Sequence, residues 1–129
     1  MSHRILFAED NVAMANVVKF LLKKAGFVVT HVPDGRVAWE HAQRESFDLV
    51  LTDHQMPLLS GVELCDRLRQ TDDYCETPVI LLTAKQLELN REMLQQRLGV
   101  SQIIAKPFSP RRLIDVIEEQ LAALVRRDE

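Results

Sequence analysis

Five residues with usable side-chain chemistry stand directly after short apolar runs. Glu9 and Asp10 follow Ile5–Ala8, Asp53 follows Leu49–Thr52, Thr83 follows Val79–Leu82, and Lys106, with Pro107 behind it, follows Ile103–Ala105. Three carboxylates brought together repel one another, and at least one resists ionisation unless a cation joins them. A donor set made only of oxygens, with room for water, suits Mg²⁺ or Mn²⁺ and disfavours zinc. A lysine and a hydroxyl on the same rim could neutralise and orient phosphoryl oxygens. A remaining carboxylate is then a candidate nucleophile, because aspartate forms acyl phosphates. Phosphoryl transfer asks mainly for positioning and charge neutralisation, and this set supplies both. Each residue alone also has an ordinary role open to it. Asp10 or Asn11 could cap a helix, Glu9 and Lys106 could sit solvated in loops, Asp53 could bond nearby backbone in a turn, and Thr83 could cap the helix after it. Their joint arrival at one edge carries the functional reading.

That arrival depends on the elements between them. The apolar runs Ile5–Ala8, Val28–Val32, Leu49–Thr52, Val79–Leu82 and Ile103–Ala105 alternate with segments of helical period. Asn11–Lys24 places Met14, Val17, Val18, Leu21 and Ala25 on one stripe, and Gly26 suits the position after its end. Arg36–Arg44 turns Val37, Ala38 and Ala42 inward, and Gly61–Arg69 buries Leu64 and Leu68. Gln86–Leu98 ends at Gly99, and Ser109–Arg126 has Ser109 to cap it and Pro110 at its first position. The third run does not alternate, as expected of a central strand covered on both faces. Strict alternation predicts an α/β, doubly wound, three-layer fold of five parallel strands and five helices with right-handed crossovers. Ligands bind such sheets outside the carboxyl ends of the strands, where strand order reverses. Four of the five strand ends offer the groups named above. The second ends in His31 and the turn Pro33-Asp34-Gly35, with no comparable group.

The chain of 129 residues fits one domain. With 47% apolar and 27% charged residues it reads as a globular protein. Its formal charge of −3 argues against a dedicated nucleic-acid binder. No apolar run reaches the roughly 18 residues of a membrane span, and the start lacks the layout of a secretion signal. Cys65 and Cys75 form no CxxC pair, so a reducing, cytoplasmic setting is the simpler expectation.

With these residues in order, the sequence resembles the receiver domain of two-component response regulators over nearly its whole length. The resemblance rests on Phe7-Ala8-Glu9-Asp10-Asn11, Asp34-Gly35, Asp48-Leu49-Val50-Leu51-Thr52-Asp53, Met56-Pro57, Ser60-Gly61, Leu81-Leu82-Thr83-Ala84 and Ala105-Lys106-Pro107-Phe108. It implies a flavodoxin-like sheet of order 2-1-3-4-5. The length of residues 1–129 leaves no room for an output domain beside a receiver, so the chain is expected to be a chemotaxis-type, stand-alone receiver or else a piece of a longer protein such as a hybrid kinase. It implies Asp53 as phosphoacceptor, and Mg²⁺ (or Mn²⁺) held by Glu9, Asp10, Asp53 and the backbone carbonyl of Gln55. Lys106 would contact one phosphoryl oxygen and Thr83 would move toward another. The donor would be a sensor histidine kinase or a histidine phosphotransfer protein. The output would be a protein partner met by the face of the fourth helix, fifth strand and fifth helix, with no direct contact to nucleic acid or membrane. A homodimer is compatible with this reading. The chain would be a signalling phosphoacceptor, not an enzyme acting on other substrates.

Some positions depart from the family or refine it. The family commonly carries Tyr or Phe three residues before the lysine, where this chain has Ile103. The aromatic switch cannot operate there, so transmission is expected through backbone movement alone or through another face. That departure keeps a pseudo-receiver, an interaction module not controlled by phosphorylation, as the alternative. A phosphatase is disfavoured, since many aspartate phosphatases carry a second Asp where Gln55 stands. Gln55 and Lys85 would line access to the phosphoryl group; Lys85 either holds a phosphoryl oxygen or is solvated. The resemblance implies a cis Lys106–Pro107 bond. Trp39 is expected half-buried against the sheet or facing a partner, His54 to border the site, Cys65 to be core and Cys75 an exposed thiol. His31 and His41 have no metal-ligand spacing and read as ordinary.

Overall fold

The computed structural model describes residues 3–84, 91–96 and 99–128. Five strands and five helices alternate: β1 Arg4–Ala8, α1 Val12–Lys24, β2 Val28–Val32, α2 Gly35–Arg44, β3 Leu49–Asp53, α3 Gly61–Arg69, β4 Val79–Ala84, α4 Arg91–Gln96, β5 Gln102–Lys106 and α5 Pro110–Asp128. All strand pairs are parallel, in the order β2-β1-β3-β4-β5. This is the doubly wound, flavodoxin-like sheet expected above. Order reverses between β1 and β3, so a crevice opens beyond the ends of those strands. Among the described residues, no helix is long and apolar enough to cross a membrane.

The alternation of side chains across the pleat divides the core in two. Leu6, Ala8, Val50, Val79, Leu81 and Ile103 pack with Ala38, Leu64, Leu68 and Leu94 on one face. Ile5, Phe7, Leu49, Leu51, Ile80, Leu82 and Ile104 pack with Val18, Leu22, Leu113 and Ile117 on the other. Every residue of β3 is buried, which explains its unbroken apolar run.

Helix ends are set by short polar side chains. Asn11 caps α1 by accepting from the Met14 N–H at 3.0 Å, so the cap is Asn11 and Asp10 is left over. Gly26, at φ 100°, closes α1 with Phe27 N–H to Leu22 O and Gly26 N–H to Lys23 O, the paired bonds of a Schellman end. Asp34 caps α2, Ser60 and Glu63 form a capping box on α3, and Ser109 caps α5. Residues 86–90 and 97–98 of the expected fourth helix lie outside the described residues.

One expected stripe is corrected. On α1 the buried residues are Ala15, Val18 and Leu22, whereas Val17 is 59% exposed and Ala25 is also exposed. The helix is apolar on more than one side, so periodicity could not choose the face. The sheet takes Val18 and Leu22. Met14, Val17 and Leu21 instead line a groove of about 640 Å³ toward α5, with Phe108 and Ile114 opposite.

Candidate functional site

β1, β3 and β5 deliver the charged groups to the crevice. Glu9 leaves β1 still bonded to β2, its N–H donating to the Val32 carbonyl at 3.0 Å. The Glu9 side chain is almost wholly buried, and one carboxylate oxygen accepts from the Asn11 N–H at 3.1 Å. Asp10, freed from capping, is exposed. Asp53 is the last residue of β3 and is 5% exposed. Behind it Gly61 comes so close that a Cβ there would lie 2.5 Å from the Asp53 carbonyl oxygen. Only a residue without a side chain lets α3 begin against that strand end.

Lys106 ends β5, two strands away from β3, and its side chain reaches back past β4. Its ammonium lies 2.7 Å from Asp53 Oδ1 and 3.2 Å from Glu9 Oε1. Carboxylate oxygens of Glu9, Asp10 and Asp53 fall within 4.8 Å of one another. The structure therefore gathers three acids and one lysine, separated by up to 97 positions in the chain, at one lip.

The electrostatics follow from crowding. Burial pushes the Glu9 carboxyl above the ordinary glutamate value; the Asn11 N–H pulls it back, the Asp53 charge adds to the rise, and Lys106 offsets only part of it. Burial pulls the Lys106 ammonium down, but its hydrogen bond to Asp53 and the charges of Asp53 and Glu9 outweigh this, and it ends above the ordinary lysine value. The cluster holds more negative charge than one lysine balances. A hard divalent cation among those oxygens would supply the rest, and an all-carboxylate set suits Mg²⁺ or Mn²⁺.

Thr83 sits near the end of β4 and is buried, beside Ala105 of β5 in register. Ile103 pairs with Leu81 and is buried in the core cluster that includes Leu94 and Val100. The Lys106–Pro107 bond is cis, as the resemblance implies. Gln55 is exposed in the loop beyond β3. Lys85 lies outside the described residues. His54 follows Asp53 in the chain; its N–H donates to the Leu82 carbonyl at 2.8 Å, while its buried Nδ1 has no partner. Trp39 is half-buried with the Arg67 guanidinium 5.9 Å above its ring. Cys65 is buried and Cys75 exposed.

The residue overlooked in the sequence is His31. Its Nε2 lies 2.8 Å from the backbone carbonyl oxygen of Glu9. Metal-ligand spacing gave no sign of it. The expected strand order sets β2 beside β1, but nothing in the residues shows that the Glu9 carbonyl lacks a ladder donor.

Comparison with known proteins agrees with this geometry. The sequence profile described as "Response regulator receiver domain" matches residues 5–118. The alkaline phosphatase synthesis transcriptional regulatory protein PhoP of Bacillus subtilis is 33% identical over 129 residues, covering 100% of this chain and 51% of that protein. Sensory transduction protein RegX3 of Mycobacterium bovis is 35% identical, covering 95% of this chain and 51% of its own length. The chain thus spans about half the length of these curated relatives. Among solved structures, the receiver domain of sensor histidine kinase PA1611 from Pseudomonas aeruginosa, with magnesium in its active-site cleft, superposes with a TM-score of 0.85 at 32% identity, covering 95% of this chain and 99% of that one. Chemotaxis response regulator CheY4 of Vibrio cholerae gives a TM-score of 0.85 at 27% identity, covering 93% and 99%. With fold, acid cluster and profile in agreement, the chain belongs to the response regulator receiver domain family.

Proposed function

We propose that this receiver accepts a phosphoryl group on Asp53 from a histidine kinase or a histidine phosphotransfer protein and uses it to switch partner binding. The observation that carries the reading is the Lys106 ammonium lying on both Asp53 and Glu9, with Asp10 completing the acid set. In the transfer, an Asp53 carboxylate oxygen attacks the phosphorus of a phosphohistidine. A P–O bond forms as the P–N bond breaks, and the departing imidazole keeps the electron pair and takes a proton. Lys106 holds one phosphoryl oxygen and Thr83 meets another. Glu9, Asp10, Asp53 and the backbone carbonyl of Gln55 would hold Mg²⁺, with Mn²⁺ as a substitute. When bound, that ion neutralises charge on the carboxylate and phosphoryl oxygens. Later attack of water on phosphorus returns Asp53 and free phosphate. The chain acts on its own phosphoryl group rather than on a turnover substrate.

Phosphorylation adds roughly −1.5 to −2 charge and several acceptor oxygens. Thr83 and Lys106 then gain contacts absent before, which shifts population at the end of β4. Ile103 offers no ring to swing, so the signal passes through backbone and core packing toward the face of α4, β5 and α5. Phosphoryl-mimic and unmodified structures are expected to differ in backbone near Thr83, with the Ile103 side chain keeping its orientation. The formal charge of −3 supports a protein partner rather than nucleic acid, in the manner of chemotaxis-type receivers acting in the cytoplasm. Lys85 stays a candidate contact of the phosphoryl group.

The test is intact mass after incubation with acetyl phosphate and Mg²⁺, then with a histidine phosphodonor. One phosphoryl group that hydroxylamine removes is the expected result. No incorporation from any donor would favour the pseudo-receiver, the reading that Ile103 keeps in view.

A further inference from the structure

The Glu9–Asp10 peptide links two of the three crowded acids, so its orientation sets where both carboxylates point. It is held on several sides. The Glu9 N–H donates to Val32 O at 3.0 Å, and the Glu9 carboxylate accepts from Asn11 N–H at 3.1 Å. The Glu9 carbonyl oxygen, which belongs to the linking peptide itself, lies 2.8 Å from His31 Nε2. The β1–β2 pairing ends at Ala8 and Val32; beyond it Pro33 has no N–H, and Asp34 turns away to cap α2. A side chain therefore supplies a donor where the ladder stops. The imidazole ring is itself steadied by Phe7, with centroids 5.6 Å apart.

We infer that His31 is a positioning residue of the acid pocket: its Nε2–H, donated to the Glu9 carbonyl, fixes the Glu9–Asp10 peptide in the orientation that binds a divalent cation. The inference rests on the metal-binding reading given above. A carbonyl can only accept, so His31 must carry its proton on Nε2. Groups that orient ligand residues from behind tune metal affinity, and losing one typically costs roughly 10–100-fold.

The variants separate the donor from the ring. His31→Phe keeps a ring against Phe7 and removes the N–H, while His31→Gln restores an N–H donor. Isothermal titration of Mg²⁺ into the full chain is expected to show affinity about ten-fold weaker in His31→Phe, at the low end of such outer-shell effects. His31→Gln should recover most of it, and circular dichroism should show both variants folded. Equal affinity in wild type and His31→Phe would overturn the positioning role while leaving the metal reading intact. Failure of the wild type to bind Mg²⁺ would remove the metal reading and this role with it. Should His31→Phe not fold, long-range ¹H–¹⁵N spectra of the wild type at pH 8 decide the matter. A proton on Nε2 whose resonance shifts on adding Mg²⁺ supports the role, and a proton on Nδ1 overturns it.

Discussion

At the amino-terminal edge of the sheet, the Glu45 carboxylate accepts from His41 Nδ1 at 2.9 Å and from Arg4 Nη2 at 2.7 Å. Arg4 also reaches the Ser46 carbonyl and stands 5.0 Å from the Phe47 ring, and the Tyr74 hydroxyl donates to the Glu45 carbonyl. At the carboxyl-terminal edge, Glu9 and Asp53 share one lysine with Asp10 beside them. The His41 and Arg4 bonds draw the Glu45 carboxyl below the ordinary glutamate value, whereas burial drives Glu9 above it. One edge has partners in excess of its charge, and the other has charge in excess of its partners. The first arrangement holds the fold together. The second gathers acids whose charge a divalent cation could balance, and that unrelieved repulsion marks a candidate site.

The contrast can be broken in a graded way. Asp53→Asn is expected to abolish phosphoryl incorporation from acetyl phosphate, measured by intact mass, while the protein stays folded by circular dichroism. Gly61→Ala drives a Cβ to 2.5 Å from the Asp53 carbonyl and 2.6 Å from Leu81. Overpacking of this kind costs about 1–3 kcal/mol in urea unfolding, and it should also slow labelling by displacing Asp53. At the opposite edge, Tyr74→Phe removes one hydrogen bond and should cost about 1 kcal/mol in the same assay, with labelling unchanged.

The smallest effects carry opposite signs. Glu9 has a raised folded pKa, so its ionised form opposes folding above the ordinary value of 4.5. Without divalent ions, Glu9→Gln should raise Tm at pH 7, and the gain should fade below pH 4.5. Glu45 has a lowered folded pKa, so its contribution is full above the ordinary value of 4.5 and is lost as pH falls through the lower folded value. Glu45→Gln should lower Tm at pH 7, and that loss should vanish in acid. Melting curves of both variants from pH 3 to 7 check the pair; equal signs would refute the contrast drawn between the two edges.

Much of this was legible in the residues. Alternating runs dictated a parallel sheet, and the groups just past four strand ends marked the crevice. Asp53, Thr83 and Lys106 lie inside β3, β4 and β5 rather than after them, because the ladders run to or past these residues. The α1 stripe was misplaced because Val17, Phe20 and Val12 are apolar yet exposed, and only the arrangement of sheet and α5 decides which face is covered. His31 escaped notice for a different reason. Its bond is to a backbone carbonyl, and no residue type in Glu9 announces a carbonyl in need of a donor. Side-chain chemistry shows in a sequence; backbone groups that run out of ladder partners show only in a fold.

In the proposed function, the crowded edge carries a phosphoryl group on Asp53. Borohydride reduction of the acetyl-phosphate-treated protein, followed by peptide mass spectrometry, locates an acyl phosphate by the residue it converts. Modification confined to position 53, and dependent on Mg²⁺, is the predicted result. Modification at Glu9, at Asp10 or at a residue outside the crevice would contradict the account.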